Sequence, residues 1–229
     1  MTGNKSTARQ LEQPSPFSLW LNALPLCVLA VGVLAAVKVT ASIPAAIALF
    51  MAWLYLVPPL MCRILLGIFG KPDGELTQDL AAYKVWWTTM QLQLPFNRIR
   101  WLEEVLRLVP GLYAVWIWLW GGRLSPFCFV GPGVIITDRC LIEVRRGAVL
   151  GMHCALAGHM VTRSADGRWQ VVVAAPVVEA EAIVGGAAGL GPGARLLAGE
   201  ALPTGKRVAA FATWPRGDTG QRDGADETH

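Results

Sequence analysis

An aliphatic residue recurs every six positions through much of the second half of the chain. A first block comprises Val130, Ile136, Val144, Leu150 and Leu156, with two extra residues before Val144, and a second comprises Val178, Val184, Leu190, Leu196 and Leu202. A period of six matches neither an α-helix nor a single flat strand. It fits a triangular solenoid in which each hexad forms one face and three hexads form one coil. We therefore expect three to four coils with the aliphatic side chains inside.

A small residue often follows the aliphatic one, as at Gly131, Gly151, Gly185 and Gly191. We expect the chain to turn a corner at this second position of the hexad, because glycine adopts backbone conformations that other residues avoid. The longest interruption of the repeat covers residues 161–171, and we expect a loop there with a turn at Asp166-Gly167.

The first part of the chain holds two stretches without any charged residue, at positions 13–37 and 39–62. A helix needs about 20 apolar residues to cross the hydrocarbon core of a bilayer. We therefore predict a transmembrane helical hairpin over residues 13–70. Basic residues lie before the first stretch (Lys5, Arg9) and after the second (Arg63, Lys71), so the positive-inside rule places both ends in the cytoplasm.

Tryptophan and charged residues alternate in the segment 71–123, which contains Trp86, Trp87, Trp101, Trp116, Trp118 and Trp120. This mixture predicts amphipathic interfacial helices whose tryptophans anchor them to the membrane. The alternative is a short or re-entrant third span over residues 108–122.

Composition excludes several classes of protein. Hydrophobic residues make up 54% of the chain and charged residues only 16%, which argues against a disordered or a wholly water-soluble chain. The net charge of +4 is too small and too scattered for a nucleic-acid-binding protein. The five cysteines form no CxxC pair, so neither a disulfide framework nor a structural zinc site is favoured.

These patterns predict a membrane-anchored α+β chain with a simple order of segments. The predicted segments are a cytoplasmic tail (1–12), a transmembrane helical hairpin (13–70), interfacial helices with a linker (71–123), a β-helix domain (124–216) and a disordered tail (217–229).

Residues 124–205 resemble the hexapeptide-repeat acyltransferases, which fold as left-handed parallel β-helices. The resemblance is strongest to the sugar O-acetyltransferase branch. It lies in Leu119–Leu124, in Val130-Gly131-Pro132-Gly133-Val134, in Ile136-Thr137-Asp138 and in the late coil Leu190-Gly191-Pro192-Gly193-Ala194. It implies a left-handed β-helix that transfers an acyl group, acetyl in that branch, from CoA to a hydroxyl.

Such a reaction needs a general base, and a histidine suits it because its pKa lies near working pH. His229 is terminal, which leaves His153 and His159, both at the fourth position of their hexads and on adjacent faces of one coil. The resemblance implies a base just before an extruded loop, often after glycine. Ala157-Gly158-His159 fits that place, so His159 is the predicted base and His153 the runner-up.

The resemblance also implies binding residues and partners. CoA is expected to meet Gly191, Arg195, Lys206 and Arg207, and the acceptor to meet Arg163 and Trp169. No permanently bound cofactor and no metal is implied. The expected acceptor is a glycan, a lipid-linked sugar or a lipid-like molecule at the cytoplasmic face of a bacterial inner membrane, and the expected assembly is a homotrimer.

Two other functions remain open on the sequence. A γ-class carbonic anhydrase shares the β-helix but needs three histidines on zinc, and only His153 and His159 are usable here. The other is a non-catalytic scaffold, in which the β-helix binds a partner and the apolar helices hold it to the membrane.

Overall fold

The computed structural model describes residues 15–164 and 167–215. The chain divides into two compact units, one reaching to Pro95 and including Met160–Val173, the other made of Phe96–His159 and the residues from Ala174 onward. Several predictions concern residues outside those described, namely the tails 1–12 and 217–229, Lys5, Arg9, His229 and Asp166.

Apolar helices dominate the first unit. It contains α1 (Pro16–Leu21), α2 (Leu24–Val39), α3 (Ile43–Phe69) and most of α4 (Ala81–Arg98). Two helical stretches, Pro16–Val39 and Ile43–Phe69, are long and apolar enough to cross a membrane. They match the two predicted spans and place the turn between them at residues 40–42.

Helices α2 and α3 pack closely around one glycine. The Trp53 indole donates to the carbonyl oxygen of Val28 at 3.1 Å. A Cβ at Gly32 would lie 2.5 Å from the same indole, so only glycine lets the ring approach this side of α2.

The first unit also holds a small sheet of strand order β1-β9-β8. Its strands are β1 (Gly74–Leu76), β8 (His159–Arg163) and β9 (Trp169–Val173), and β1 runs antiparallel to β9. The segment predicted as a loop, 161–171, is therefore largely the β8–β9 hairpin. Its β-branched residues favour an extended backbone, and the pairing of β9 with β1 supplies hydrogen bonds to that backbone.

The second unit begins at the end of α4 and continues with two short helices, α5 (Trp101–Arg107) and α6 (Leu112–Trp120). Helix α6 is too short to cross a bilayer, and the described residues hold no third span. Trp116 and Trp120 are buried and pack edge-on against Phe96. Trp86 of α4 is buried as well. The expectation that all these tryptophans anchor the chain to a membrane is wrong for these three, because their indoles fill the protein interior.

A parallel β-solenoid of about four coils makes up the rest of the second unit, as the six-residue period predicts. The first coil contains β2 (Arg123–Leu124), β3 (Phe129–Val130) and β4 (Ile135–Ile136), followed by the 3-10 turn Arg139–Leu141. The second coil contains β5 (Glu143–Val144), β6 (Val149–Leu150) and β7 (Ala155–Leu156).

Two more coils follow the β8–β9 hairpin. The third contains β10 (Val177–Val178), β11 (Ile183–Val184) and β12 (Gly189–Leu190). The fourth contains β13 (Arg195–Leu196), β14 (Ala201–Leu202) and β15 (Arg207–Val208), and β16 (Thr213–Trp214) starts another. The three faces have strand orders β16-β13-β10-β5-β2, β14-β11-β6-β3 and β15-β12-β7-β4. Left-handedness of the solenoid stays a prediction.

Each strand of the solenoid is two residues long, and in all but β3 and β16 the second residue is buried in the core. Leu150, Leu156 and Leu196 are fully buried, and so are the small residues Cys154 and Ala194 at the fifth position of their hexads. Stacking the coils therefore builds one continuous apolar core from residues of similar size.

The corner of each coil lies at the third and fourth hexad positions, not at the second. At most of these corners the fourth position has positive φ, both where it is glycine and at His153, Glu181, Ala187 and Phe211. Glycine at the second position has another cause: a Cβ at Gly151 would lie 2.7 Å from the carbonyl oxygen of Val184 in the next coil. At Gly151 the small residue is therefore required by coil stacking.

Candidate active site

The stacking of the first two coils places Asp138 beneath Gly158. Ile136 of β4 pairs with Leu156 of β7 in parallel register, and Asp138 and Gly158 each lie two residues further on. His159 comes next and opens β8, where the chain leaves the solenoid. The side chain at 159 therefore begins directly above the carboxylate of Asp138.

The two side chains form a close pair. Nδ1 of His159 lies 2.6 Å from Oδ2 of Asp138. The same oxygen accepts the Thr137 hydroxyl at 2.6 Å and the backbone N–H of Gly158 at 3.1 Å. Asp138 is fully buried, whereas 21% of the His159 side chain is exposed. The carboxylate is thus fixed inside the protein and the imidazole reaches the surface.

Gly158 makes this approach sterically feasible. A Cβ at residue 158 would lie 2.8 Å from Cβ of Asp138 and 3.0 Å from Cβ of Leu141. Either contact is closer than ordinary packing allows, so a larger residue would push the two coils apart. Glycine before His159 is therefore required by the packing of the two coils as well as being part of a sequence motif.

The Asp138 carboxylate sets the protonation of His159. Burial lowers the pKa of His159, but the hydrogen bond to Asp138 and its negative charge outweigh this effect and hold the pKa above its ordinary value. Because the carboxylate accepts from Nδ1–H, the neutral imidazole carries its basic lone pair on Nε2. This arrangement orients a histidine to accept a proton at Nε2 and stabilises the imidazolium that results.

A buried polar network holds the corner that carries Asp138. Nδ2 of Asn97 donates to the Thr137 carbonyl oxygen at 3.3 Å, and Arg139 donates to Oδ1 of Asn97 at 2.9 Å. Arg139 is buried and forms an ion pair with Glu103 of α5. The end of α4 and helix α5 are therefore tied to the two residues that flank Asp138.

Helix α6 joins the same network. Glu103 also accepts from Arg107 at 3.1 Å and from the Tyr113 hydroxyl at 2.6 Å. Burial and the neighbouring charge of Glu103 raise the pKa of Tyr113, so this phenol stays a hydrogen-bond donor. Arg107 donates to the Val134 carbonyl oxygen at 3.0 Å, which fixes both helices to the first coil.

His153, the runner-up base, has a different environment. It is exposed at a solenoid corner with φ 57°, and its backbone N–H donates to the Pro132 carbonyl oxygen at 3.0 Å. Its imidazole lies over Gly133 of the preceding coil, where a Cβ would collide with the ring. Strand β7 separates His153 from His159 along the coil, and among the described residues no carboxylate forms an ion pair with the His153 imidazole.

The two predicted acceptor-binding residues contact each other in the first unit. The Arg163 guanidinium lies 4.5 Å from the centre of the Trp169 ring, which is a cation–π contact across the β8–β9 hairpin. Arg163 also donates to the Gly167 carbonyl oxygen at 3.4 Å. Their role toward an acceptor stays a prediction.

The four residues predicted for CoA lie on the late coils but not on one face. Arg195 is on the β13 face, where it forms an ion pair with Glu179. Gly191 follows β12 and Arg207 is on β15, on a different face of the solenoid. Lys206 lies 5.4 Å from the centre of the Trp214 ring. Arg195, Lys206 and Arg207 are all exposed, and of the three Arg195 is already engaged by Glu179.

Asp138 is the residue of the candidate site that the sequence analysis missed. It was noted as part of Ile136-Thr137-Asp138 without a role. The signal lies in the length of the coil: the 3-10 turn Arg139–Leu141 lengthens the step from β4 to β7, and only after allowing for it does Asp138 align with Gly158.

Metal coordination finds no support in the described ranges 15–164 and 167–215. No three His, Cys, Asp or Glu side chains there are placed to share a metal ion. Burial raises the pKa of Cys154 to about 12 and that of Cys128 to about 11, so both thiols stay protonated at neutral pH.

No protein-family model matches the chain, and no curated protein matches its sequence. Several solved structures of serine acetyltransferases show partial similarity. Isoform 3 from Entamoeba histolytica, in complex with cysteine, is 13% identical with a TM-score of 0.25, covering 90% of this chain and 85% of that one. A serine acetyltransferase in complex with CoA is 13% identical with a TM-score of 0.28, covering 84% and 81%.

A third such structure, from Neisseria gonorrhoeae, is 14% identical with a TM-score of 0.27, covering 83% of this chain and 76% of that one. Similarity at this level carries no conclusion about activity. The β-solenoid of the present chain is established by its own strand registers.

Proposed function

We propose that this chain is a membrane-anchored O-acyltransferase that moves an acyl group, most simply acetyl, from CoA to a hydroxyl. The observation that carries the proposal is the pairing of His159 with the buried carboxylate of Asp138 at 2.6 Å. A histidine oriented in this way at a partly exposed position is the arrangement that general base catalysis requires. Asp138 acts as the positioning residue and His159 as the catalytic residue.

The proposed reaction is a single acyl transfer. Nε2 of His159 accepts the proton of the acceptor hydroxyl while the hydroxyl oxygen attacks the thioester carbonyl carbon. The tetrahedral intermediate then collapses, the carbon–sulfur bond breaks, and the imidazolium returns the proton to the CoA sulfur. Asp138 stabilises the imidazolium through the charge-assisted hydrogen bond at Nδ1. The products are an ester of the acceptor and free CoA thiol.

Other residues are proposed to bind the two substrates. Lys206 and Arg207 are exposed cations on the late coils and suit the phosphates of CoA. Gly191 and Arg195 complete the proposed CoA set, although Arg195 already pairs with Glu179. Arg163 and Trp169 form a cation–aromatic pair that suits an anionic glycan or sugar acceptor.

Membrane attachment is proposed to come from the two apolar helical stretches, Pro16–Val39 and Ile43–Phe69. We infer a bacterial inner membrane with the solenoid on the cytoplasmic side, where CoA is supplied, and a lipid-linked sugar or lipid-like molecule or a glycan as acceptor. A homotrimer is the proposed assembly. Arg63, near the C-terminal end of the second stretch, and Lys71, which follows it, support this orientation.

The experiment that tests this function is a donor and acceptor screen on the full chain in bilayer nanodiscs. Acetyl-CoA and longer acyl-CoA donors are supplied with a membrane extract, release of CoA thiol is measured, and acylated acceptors are identified by mass spectrometry. The result expected is thiol release that depends on the extract and stops with His159→Ala. If no donor releases CoA thiol, the proposed enzymatic activity is overturned and the non-catalytic scaffold is favoured.

A further inference from the structure

Helices α5 and α6 present an apolar surface on the side turned away from the solenoid. Trp101 and Val105 of α5 lie on this side, and Leu108 follows directly after the helix. Leu112, Val115 and Trp118 lie on the same side of α6. These six residues, here called the outer face, are between 40% and 80% exposed. The opposite side of both helices is buried, as Leu102, Leu106 and Ile117 show.

The three charged side chains of the two helices are engaged with the rest of the second unit. Glu103 and Arg107 are buried in the network described above. Glu104 is 40% exposed but is bound to Arg107 at 2.6 Å and accepts the backbone N–H of Gly133 in the first coil at 3.0 Å. Helix α6, with the sequence LYAVWIWLW, has no charged residue. A helix pair that faced only water would place its charges outward. A continuous apolar surface of this kind is typical of a binding surface.

Two phenylalanines of the first coil extend the apolar surface. Phe127 and Phe129 are both mostly exposed. Phe129 lines a groove of the second unit together with Val109, Pro110 and Gly111, the residues between α5 and α6. The tip of the helix pair and the edge of the first coil therefore adjoin.

Arginines surround the apolar surface. Arg98 and Arg100 are exposed directly before α5, and Arg123 is exposed directly after α6 and lines a shallow groove with Trp118. The Arg146 guanidinium lies 4.9 Å from the centre of the Phe127 ring. Apolar and aromatic residues with a border of arginines match the interface of a bilayer that contains anionic lipid.

We propose that the outer face docks the second unit onto an anionic lipid bilayer, with its apolar side chains among the acyl chains and the arginines at the headgroups. The surface is independent of the proposed activity, since none of its residues belongs to the catalytic pair. A second copy of the chain fits less well, because two such faces would bring arginine borders of like charge together.

The test uses the full chain in nanodiscs of phosphatidylcholine and phosphatidylglycerol that carry a lipid with a photoreactive group in its acyl chain. After illumination, labelled peptides are mapped by mass spectrometry. We expect lipid labels over residues 99–118 as well as in the two apolar stretches of the first unit, and none over residues 195–208. If the apolar stretches are labelled and residues 99–118 are not, the proposal is overturned, because water or a second copy of the chain then covers the outer face.

Variants separate docking from general proximity to the membrane. The double substitution Leu108→Glu with Val115→Glu is expected to abolish labelling of 99–118 and leave the apolar stretches labelled. The matched control Ile183→Glu, at an exposed isoleucine of β11, is expected to change neither. Undiminished labelling in the double variant would contradict the proposal. If that variant does not fold, the wild-type labels over 99–118 and 195–208 decide the matter.

Lipid composition tests the arginines. Replacing phosphatidylglycerol by phosphatidylcholine is expected to reduce labelling of 99–118 and to leave labelling of the apolar stretches unchanged, because only docking depends on headgroup charge. Equal labelling on neutral and anionic bilayers would overturn the part assigned to the arginines.

Discussion

Gly158 donates its backbone N–H to Oδ2 of Asp138 at 3.1 Å, the oxygen that also binds His159. This contact joins two coils at the point where the chain leaves the solenoid. It depends on the absence of a side chain at residue 158, because a Cβ there would lie 2.8 Å from that of Asp138. The spacing of the coils and the geometry of the candidate base are therefore set by one residue.

Gly158→Ala is expected to destabilise the chain by about 1–3 kcal/mol, the usual cost of overpacking, and to lower kcat because Asp138 moves away from His159. Unfolding by denaturant and steady-state kinetics measure the two effects. Gly186→Ala is the matched control, since a Cβ at Gly186 meets only the Met152 carbonyl oxygen at 3.5 Å. Equal losses in both variants would contradict the special role of Gly158.

Asp138→Asn is expected to shift the pH dependence of kcat/KM. The base acts in its neutral form, so the rate falls as pH drops below the pKa of His159, which Asp138 holds above the ordinary value. Removing the charge lowers that pKa, and the acid limb should move to lower pH.

The maximal rate of Asp138→Asn should also fall by about 10²–10⁴-fold, because the imidazole loses its orientation. Glu200→Gln, at an exposed carboxylate of the last coil, serves as control and should leave the profile unchanged. An acid limb that stays in place, or moves to higher pH, would show that Asp138 does not set the pKa of His159.

Glu103→Gln and Glu104→Gln form a matched pair of neighbouring substitutions on α5. The first leaves the buried Arg139 without its counter-charge and is expected to cost about 3–5 kcal/mol. The second removes a partner that is 40% exposed and should cost at most about 1 kcal/mol. Denaturant unfolding of the full chain in mild detergent measures both. Similar costs would indicate that the buried pair does not anchor the helices.

The six-residue period predicted the solenoid because its physical basis is strictly local. Each hexad must send one aliphatic side chain inward, so Leu150, Leu156 and Leu190 reveal the fold without any long-range information. The corners were misplaced because glycine serves two purposes in this fold. Gly151 is required by the neighbouring coil and Gly193 by a positive φ, and sequence alone does not distinguish them.

The candidate site was only half predictable. His159 was found because it is one of very few histidines and precedes an interruption of the repeat. Asp138 was missed because the sequence does not show whether the two extra residues before Val144 come before or after residue 138. The turn Arg139–Leu141 shows that they come after it, which aligns Asp138 with Gly158. The membrane-anchor prediction for the tryptophans failed in part because sequence does not show which side of a helix is buried. Trp116 and Trp118 are near neighbours on one helix, yet the first is buried and the second is exposed.

The most direct test of the proposed mechanism compares CoA thiol release by His159→Ala and His153→Ala in the full chain. Loss of a general base is expected to lower kcat of His159→Ala by about 10²–10⁴-fold. His153→Ala should keep the wild-type rate, because His153 lies at an exposed corner with no recorded carboxylate partner among the described residues. Full activity of His159→Ala, or its loss in His153→Ala alone, would contradict the assignment of His159 as the base.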